Sequence, residues 1–418
     1  MKLLINLCAH DGIISHYTGV GTIVKRYIKT FQMILEKRMY EYEINLFTPE
    51  YKTDSFGYSD YTYNTHINMK NVNIVQISNG SDGKVNYGTP NDWKILSQNT
   101  ANYINNIDYS KYDIVLTISN DTPFAGLNEM LVQMEKHYKV WIPHSTGRIH
   151  KVDSAIKNSE KNLQERINWE ESAVSYINNN KNSYLGGTGK YISKHMVDEY
   201  SLNKDKIVNI LNGEILSEKT TYQENSEMEE LFKDIEKEDN IILAFGRAEE
   251  YKNIDATMFL GKLLNVKPVV IAQPYYKGQP IIKKYEEESK ITNSKLYIDV
   301  PFDFPFYIMN HYNNNMILLI PSKKEIFGLI VNQVRKLNRN NILIVANDIG
   351  GLHEQIDDKK DGLLIDLNNL EESAHKVKKH FNSNDIVEFN KNSQIKLNDT
   401  YNFEKICAEF LNFFIKSK

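Results

Sequence analysis

Only two cysteines, Cys8 and Cys407, occur in the 418 residues, near opposite ends of the chain and in apolar surroundings. A disulfide framework is therefore not expected, and the composition suits a reducing, cytoplasmic compartment. Neither charge is in large excess: 50 Lys and Arg against 54 Asp and Glu leave a net charge of −4. That balance gives no general attraction to nucleic acid or acidic lipid, and no polyanion partner is expected. No apolar run approaches the length that spans a bilayer, so no integral membrane segment is expected. The opening MKLLINLCAHDG has one lysine and an apolar run too short for a secretory signal, and it reads as a first strand. HExxH, paired CxxC and DxD motifs are missing, and Asp357 with Asp358 reads as a solvated turn, so no metal or other cofactor is expected. There is no repeat at solenoid spacing.

What is present is the balance of a globular protein, with 41% apolar and 25% charged residues. The length exceeds what one core serves, which predicts two domains. Residues 2 to 8 form an apolar run, followed by a loop with Gly12, Gly19 and Gly21 and then the periodic helix IVKRYIKTFQMILEKR. EINLFTP, YDIVLTIS and YKVWIPH repeat the strand pattern between polar or helical segments, and KIVNILNGE closes the first half. Residues 214 to 239, acid-rich and weakly apolar, read as a linker. Five further runs follow, NIILAFG, VKPVVIAQ, KLYIDV, NMILLIPS and NILIVAND, each leading into a helical pattern. Alternation of this kind implies an α/β protein with two doubly wound parallel sheets: a first Rossmann-like domain over 1–213 and a second over 214–401. The last helix, 402–418, is amphipathic and suits packing against either domain, the first included.

Ligands in such sheets bind beyond the carboxyl ends of the strands. Four loops there stand out. TGVGT at 18–22 runs into a helix, where Gly19 and Gly21 allow close backbone approach to an anion, although a structural turn fits equally. FGRAEEYKN at 245–253 offers Arg247 and Lys252, a fork and a point charge suited to a diphosphate; two solvated surface charges are the plainer alternative. In PSKKEIFGLIVNQVRKL at 321–337, Phe327, Ile330, Val331, Val334 and Leu337 set a helix beginning near Gly328. Glu325 stands just before it, able to bond sugar hydroxyls while the free amides of Gly328 and Leu329 hold phosphate, or merely to favour the helix dipole. Gln333 falls at the edge of the buried stripe. NDIGGLHEQ at 347–355 pairs Gly350 with Gly351 at another helix entry, and His144 ends the run YKVWIPH.

The order of TGVGT, His144, LNG at 211–213, FGRAEEYKN, PSKKEIFGL and NDIGGLHEQIDDKKDGLLI resembles the retaining glycosyltransferases of the GT-B fold, particularly family 4, over nearly the whole chain. The resemblance implies two Rossmann-like domains facing across a cleft, with nucleotide held mainly by the second. It further implies that Arg247 and Lys252 meet the diphosphate, Glu325 the sugar hydroxyls, and Gly328 and Leu329 the phosphate, with Phe327 beside them. Gly19 and Gly21 would approach the donor from the first domain, and His144 would lie near the anomeric carbon. The implied activity is metal-independent transfer of a hexose, with retention, from a nucleotide diphosphate sugar, a UDP-sugar by preference, to an acceptor hydroxyl. One position departs: Gln333 stands where the family usually has a ribose-binding Glu, and VRKLNRN replaces a stretch of small residues ending in Gly and Pro. Asn338 or Asn340 then has to supply the left-handed residue that ends the helix. An inactive GT-B partner of another transferase, or a sugar phosphorylase or trehalose-type synthase, are the other activities compatible with these residues.

Overall fold

The structure, a computed structural model, describes residues 1–10, 19–50, 69–80, 88–149, 160–219 and 224–416. It divides into two compact units, Met1–Ile215 with Phe403–Lys418, and Leu216–Asn402.

In the first unit the described strands are β1 (Lys2–Ala9), β2 (Glu41–Pro49), β3 (Val72–Ile77), β4 (Ile114–Asn120), β5 (His137–Ile142), β6 (Ser183–Gly187) and β7 (Ile207–Asn209). They pair in parallel in the order β3-β2-β1-β4-β5-β6-β7. Leu3, Leu4, Ile5, Leu7 and Cys8 of β1 are all buried, because a central parallel strand is covered on both faces and its apolar run cannot alternate. Edge strand β3 is not among the runs expected from sequence; its half-buried pattern carries a weaker signal. The order reverses between β1 and β4, which makes the carboxyl ends of those strands the switch point.

Helix Phe403–Ile415 packs on helix Gly19–Lys37 of this unit, with Tyr27 stacked on Phe403 at 5.3 Å and Phe31 on Phe410 at 6.2 Å between ring centroids. Burial of each such ring contributes about 1.5–3 kcal/mol. The Phe403 amide donates to the Glu214 carbonyl at 3.0 Å, and Arg26 holds the Glu214 carboxylate at 2.7 Å.

The second unit contains β8 (Ile241–Arg247), β9 (Lys267–Gln273), β10 (Lys295–Ile298), β11 (Met316–Ile320), β12 (Ile342–Asn347) and β13 (Leu363–Ile365), parallel throughout in the order β10-β9-β8-β11-β12-β13. Its switch point lies between β8 and β11. Sequence predicted five of these strands; β13 has three residues, too few for a periodic signal. The segment read as a linker is corrected as well. Its residues Ser226–Ile235 form a helix whose Met228, Phe232 and Ile235 are buried in the unit's core, a one-turn spacing hidden among five charged neighbours. Residues 220–223 of that segment lie outside the described ones.

Asn265, Asn293 and Asn338 end their helices in left-handed conformation, with φ of 55°, 53° and 52°. Asparagine thus fills the role glycine often takes, its short polar side chain tolerating this region. Among the described residues no helix is long and apolar enough to cross a membrane.

Candidate active site

Arg247 ends β8, and the parallel register sets it opposite Gln273 at the end of β9. Tyr275, two residues past that strand, therefore stands beside it. The guanidinium donates through Nη1 to the Tyr275 hydroxyl and through Nη2 to the Tyr251 hydroxyl at 2.6 Å, with the Glu249 carboxylate 3.2 Å from Nη2. The Tyr275 hydroxyl in turn donates to Glu249 at 2.7 Å. Burial raises both phenols well above their ordinary values, which keeps them as hydroxyls. Gln279 ties the two loops together, accepting from the Tyr275 amide at 2.9 Å and donating to the Ala248 carbonyl at 2.5 Å.

Across the switch point, Lys252 Nζ lies 3.1 Å from Glu325 Oε2, joining the loop after β8 to the loop after β11. The main chain reinforces this link: the Lys323 amide donates to the Tyr251 carbonyl at 2.7 Å, and Asn253 donates to the Pro321 carbonyl at 3.2 Å. Arg247 and Lys252 are thus not two solvated charges. Each is held by a carboxylate and by aromatic or backbone groups, with Arg247 still 37% and Lys252 24% exposed.

The Glu325 loop is fixed from below by Gly350 and Gly351. The Gly351 amide donates to the Glu325 carbonyl at 2.9 Å. A Cβ on Gly350 would stand 2.2 Å from that carbonyl oxygen, and one on Gly351 would stand 1.8 Å from the Ile326 oxygen. The loop can lie here only because two side chains are absent. Helix Leu329–Leu337 then starts at Gly328, whose φ of +81° turns the chain into it with no side chain capping the first turn.

Phe327 is 4% exposed and packs edge-on against Tyr401 at 5.8 Å, so its ring anchors the loop and does not face a ligand. Gln333 is half-buried on the helix, as its place at the edge of the stripe predicts. Arg335 is fully buried, paired with Asp361 at 3.0 Å and donating to the Gln355 carbonyl at 2.6 Å. Asp357 and Asp358 are exposed, as a solvated turn should be, and pair there with Lys396 at 2.9 Å and Lys376 at 2.8 Å.

In the first unit, His144 lies two residues beyond β5, and its Nε2 is 3.0 Å from Oδ1 of Asn120 at the end of β4. Asn120 Nδ2 donates to the Cys8 carbonyl at 3.0 Å. That bond fixes the amide so that its oxygen faces the imidazole, which must carry its proton on Nε2 and leaves Nδ1 as an acceptor. Burial lowers the His144 pKa to about 4, so the ring is neutral at pH 7. Gly19 and Gly21 occupy the first turn of helix Gly19–Lys37, with Gly21 buried; residues 11–18, including Thr18 of the motif, lie outside the described ones. Sequence reasoning did not single out Glu249, Tyr251, Tyr275 or Asn120. Only Glu249 and Tyr251, two and four residues from Arg247, lay close enough in sequence to be considered.

Acid should destabilise this unit. His137 in β5 is 1% exposed, and burial, then the charge of Lys139, lowers its pKa to about 3. The native ring stays neutral where the unfolded ring, near 6.5, takes a proton. Stability is therefore full above pH 6.5 and falls as pH drops toward 3, by about 2 kcal/mol per such histidine at pH 5. Denaturant titrations at pH 7 and 5 should show a smaller loss in His137→Gln than in the parent; equal losses would refute the assignment.

Residues 227–396, less than half of the chain, match the family model described as glycosyl transferases group 1. No curated protein sequence matches. Sucrose-phosphate synthase from Thermosynechococcus elongatus is similar in structure with a TM-score of 0.74 at 13% identity, covering 99% of this chain and 98% of its own. Anabaena Alr3699/HepE in complex with UDP and glucose has a TM-score of 0.68 at 13% identity over 99% of both chains. Trehalose 6-phosphate synthase from Burkholderia multivorans has a TM-score of 0.66 at 9% identity, covering 100% of this chain and 99% of that one. At these identities the likeness establishes the fold, and the fold is GT-B.

Proposed function

We propose that the protein is a retaining, metal-independent glycosyltransferase that moves a hexose from a UDP-sugar to an acceptor hydroxyl. The observation that carries this reading is the meeting of Arg247, Lys252, Glu325 and the uncapped start of helix Leu329–Leu337 at one switch point, inside the segment that matches the group 1 model. HepE, a structural relative, is bound to UDP and glucose, which supports the donor class.

In this reading the donor diphosphate meets Arg247 where Tyr251, Tyr275 and Glu249 already hold it, and draws Lys252 away from Glu325. The two cations and the amides of Gly328 and Leu329 then stabilise the charge that grows on the leaving diphosphate. Glu325, released, accepts from the donor-sugar hydroxyls. His144, neutral and oriented by Asn120, offers Nδ1 to a hydroxyl near the reacting carbon. The acceptor attacks from the face the nucleotide leaves, so no covalent nucleophile is assigned. Gly19 and Gly21 admit the donor from the side of the first unit. Two unpaired, buried cysteines support a cytoplasmic location.

A panel of nucleotide sugars, assayed for binding by calorimetry and for transfer in the presence of EDTA, tests the proposal, and the anomeric configuration of the product tests retention. No binding to any donor would favour the second reading, an inactive partner of another transferase. Gln333 is what supports that alternative. A ribose-binding role predicts that Gln333→Glu tightens donor binding about tenfold, the effect of restoring one charged hydrogen bond. An unchanged dissociation constant would leave Gln333 as a helix-boundary residue.

A further inference from the structure

Helix Glu160–Asn179 carries Arg166 and Glu170 one turn apart, paired at 2.9 Å with side chains 9% and 0% exposed. A buried ion pair of this kind stabilises a fold no better than apolar side chains of similar volume, so its presence calls for a different explanation. Its hydrogen bonds supply one. Glu170 Oε2 accepts from the Gly147 amide at 2.9 Å and from the Tyr200 hydroxyl at 2.5 Å, while Oε1 accepts from the Thr122 hydroxyl at 2.8 Å. Arg166 Nη2 donates to Thr122 Oγ1 at 3.0 Å and to Ser145 Oγ at 3.2 Å. Trp169 Nε1 donates to the Thr122 carbonyl at 3.0 Å.

Apart from Tyr200, every one of these partners lies on two loops: Thr122 just after Asn120, and Ser145 and Gly147 just after His144. The helix seats closely against both. A Cβ on Gly126 would stand 2.2 Å from the Trp169 ring, and one on Gly147 would stand 2.9 Å from Ile167. Between Asn120 and Thr122, Asp121 holds φ 65° and ψ 177°. A residue with a side chain keeps that conformation only where its surroundings dictate it, and such residues cluster at functional sites. Here the Asp121 amide donates to the Ile142 carbonyl at 2.9 Å, and its carbonyl accepts from Trp141 Nε1 at 3.0 Å.

We propose that Arg166 and Glu170 are positioning residues that clamp the loops after β4 and β5 together, so that Asn120 holds the His144 imidazole in one tautomer and one orientation. The proposal rests on the role given above to His144. It makes the clamp a determinant of the rate of transfer and not of nucleotide affinity, because the groups proposed for the diphosphate belong to the other unit.

The test is the full chain carrying Arg166→Met with Glu170→Met, which removes both charges at similar volume. Nitrogen–proton NMR of the imidazoles, with His144 assigned through His144→Gln, should show one Nε2–H tautomer in the parent and a mixture in the variant. Turnover should fall at least tenfold while KM for the donor changes less than twofold. A folded variant that keeps the single tautomer overturns the proposal, whatever its rate. Should the double variant not fold, Arg166→Lys decides, since it keeps the charge and loses the fork to Thr122 and Ser145: a mixed tautomer supports the clamp and an unchanged one overturns it. His144→Ala transferring sugar at the parent rate would remove the role given to His144, while the NMR result would still stand or fall alone.

Discussion

Arg247→Ala is expected to lower turnover for sugar transfer by about a hundred- to a thousandfold, the usual cost of deleting one preorganised donor that faces developing negative charge. The preorganisation is visible: two tyrosine hydroxyls and Glu249 hold the guanidinium at the end of β8 before any donor arrives. Nothing then has to be ordered during the reaction, which is why the loss should appear in turnover. Arg247→Lys keeps the charge but cannot bridge Tyr275 and Tyr251, and should fall between the parent and Arg247→Ala. The alanine variant also leaves Glu249, 3% exposed, without its cation, so a lower melting temperature is expected alongside. Activity should therefore be compared at a temperature where both proteins are folded. A folded Arg247→Ala within twofold of the parent would refute the diphosphate role.

Gly351→Ala should be the most damaging single methyl in the second unit. Its Cβ would lie 1.8 Å from the Ile326 carbonyl oxygen, a backbone atom that no rotamer change can move. The loop from Ser322 to Gly328 must shift by more than an ångström, breaking the bond from the Gly351 amide to the Glu325 carbonyl and displacing Glu325 from Lys252. Misplacement on that scale costs on the order of a hundredfold in rate. Strain of this kind costs about 1–3 kcal/mol or more in stability. Loss of donor binding by calorimetry together with an earlier denaturant midpoint is the expected result. Parent-like values for both would mean that the loop is not fixed by this glycine.

Several elements were legible because their causes are local. The runs of β1, β8 and β11 are apolar on both faces, and the spacing of Val331 and Val334 sets the helix after Glu325. Asn338 was one of two candidates for the left-handed end of that helix, since few residues other than glycine adopt that region easily. Helix Ser226–Ile235 was missed because its buried stripe is three residues wide among acids and lysines. Arg335 was missed because nothing in VRKLNRN foretells that Asp361 would meet it in the interior.

Sequence by itself determined the two parallel sheets, since burial on both faces demands continuous apolar strands, and it determined which loops could carry chemistry, since those follow the strands. Tertiary structure alone decided the partners. Tyr275 reaches Arg247 through the register of β8 against β9, and Glu325 reaches Lys252 because β11 lies next to β8. His144 is held by Asn120 because β5 follows β4 in the sheet. Each of these pairs is separated by tens of residues in the chain, and only the order in which strands stack side by side brings their ends together.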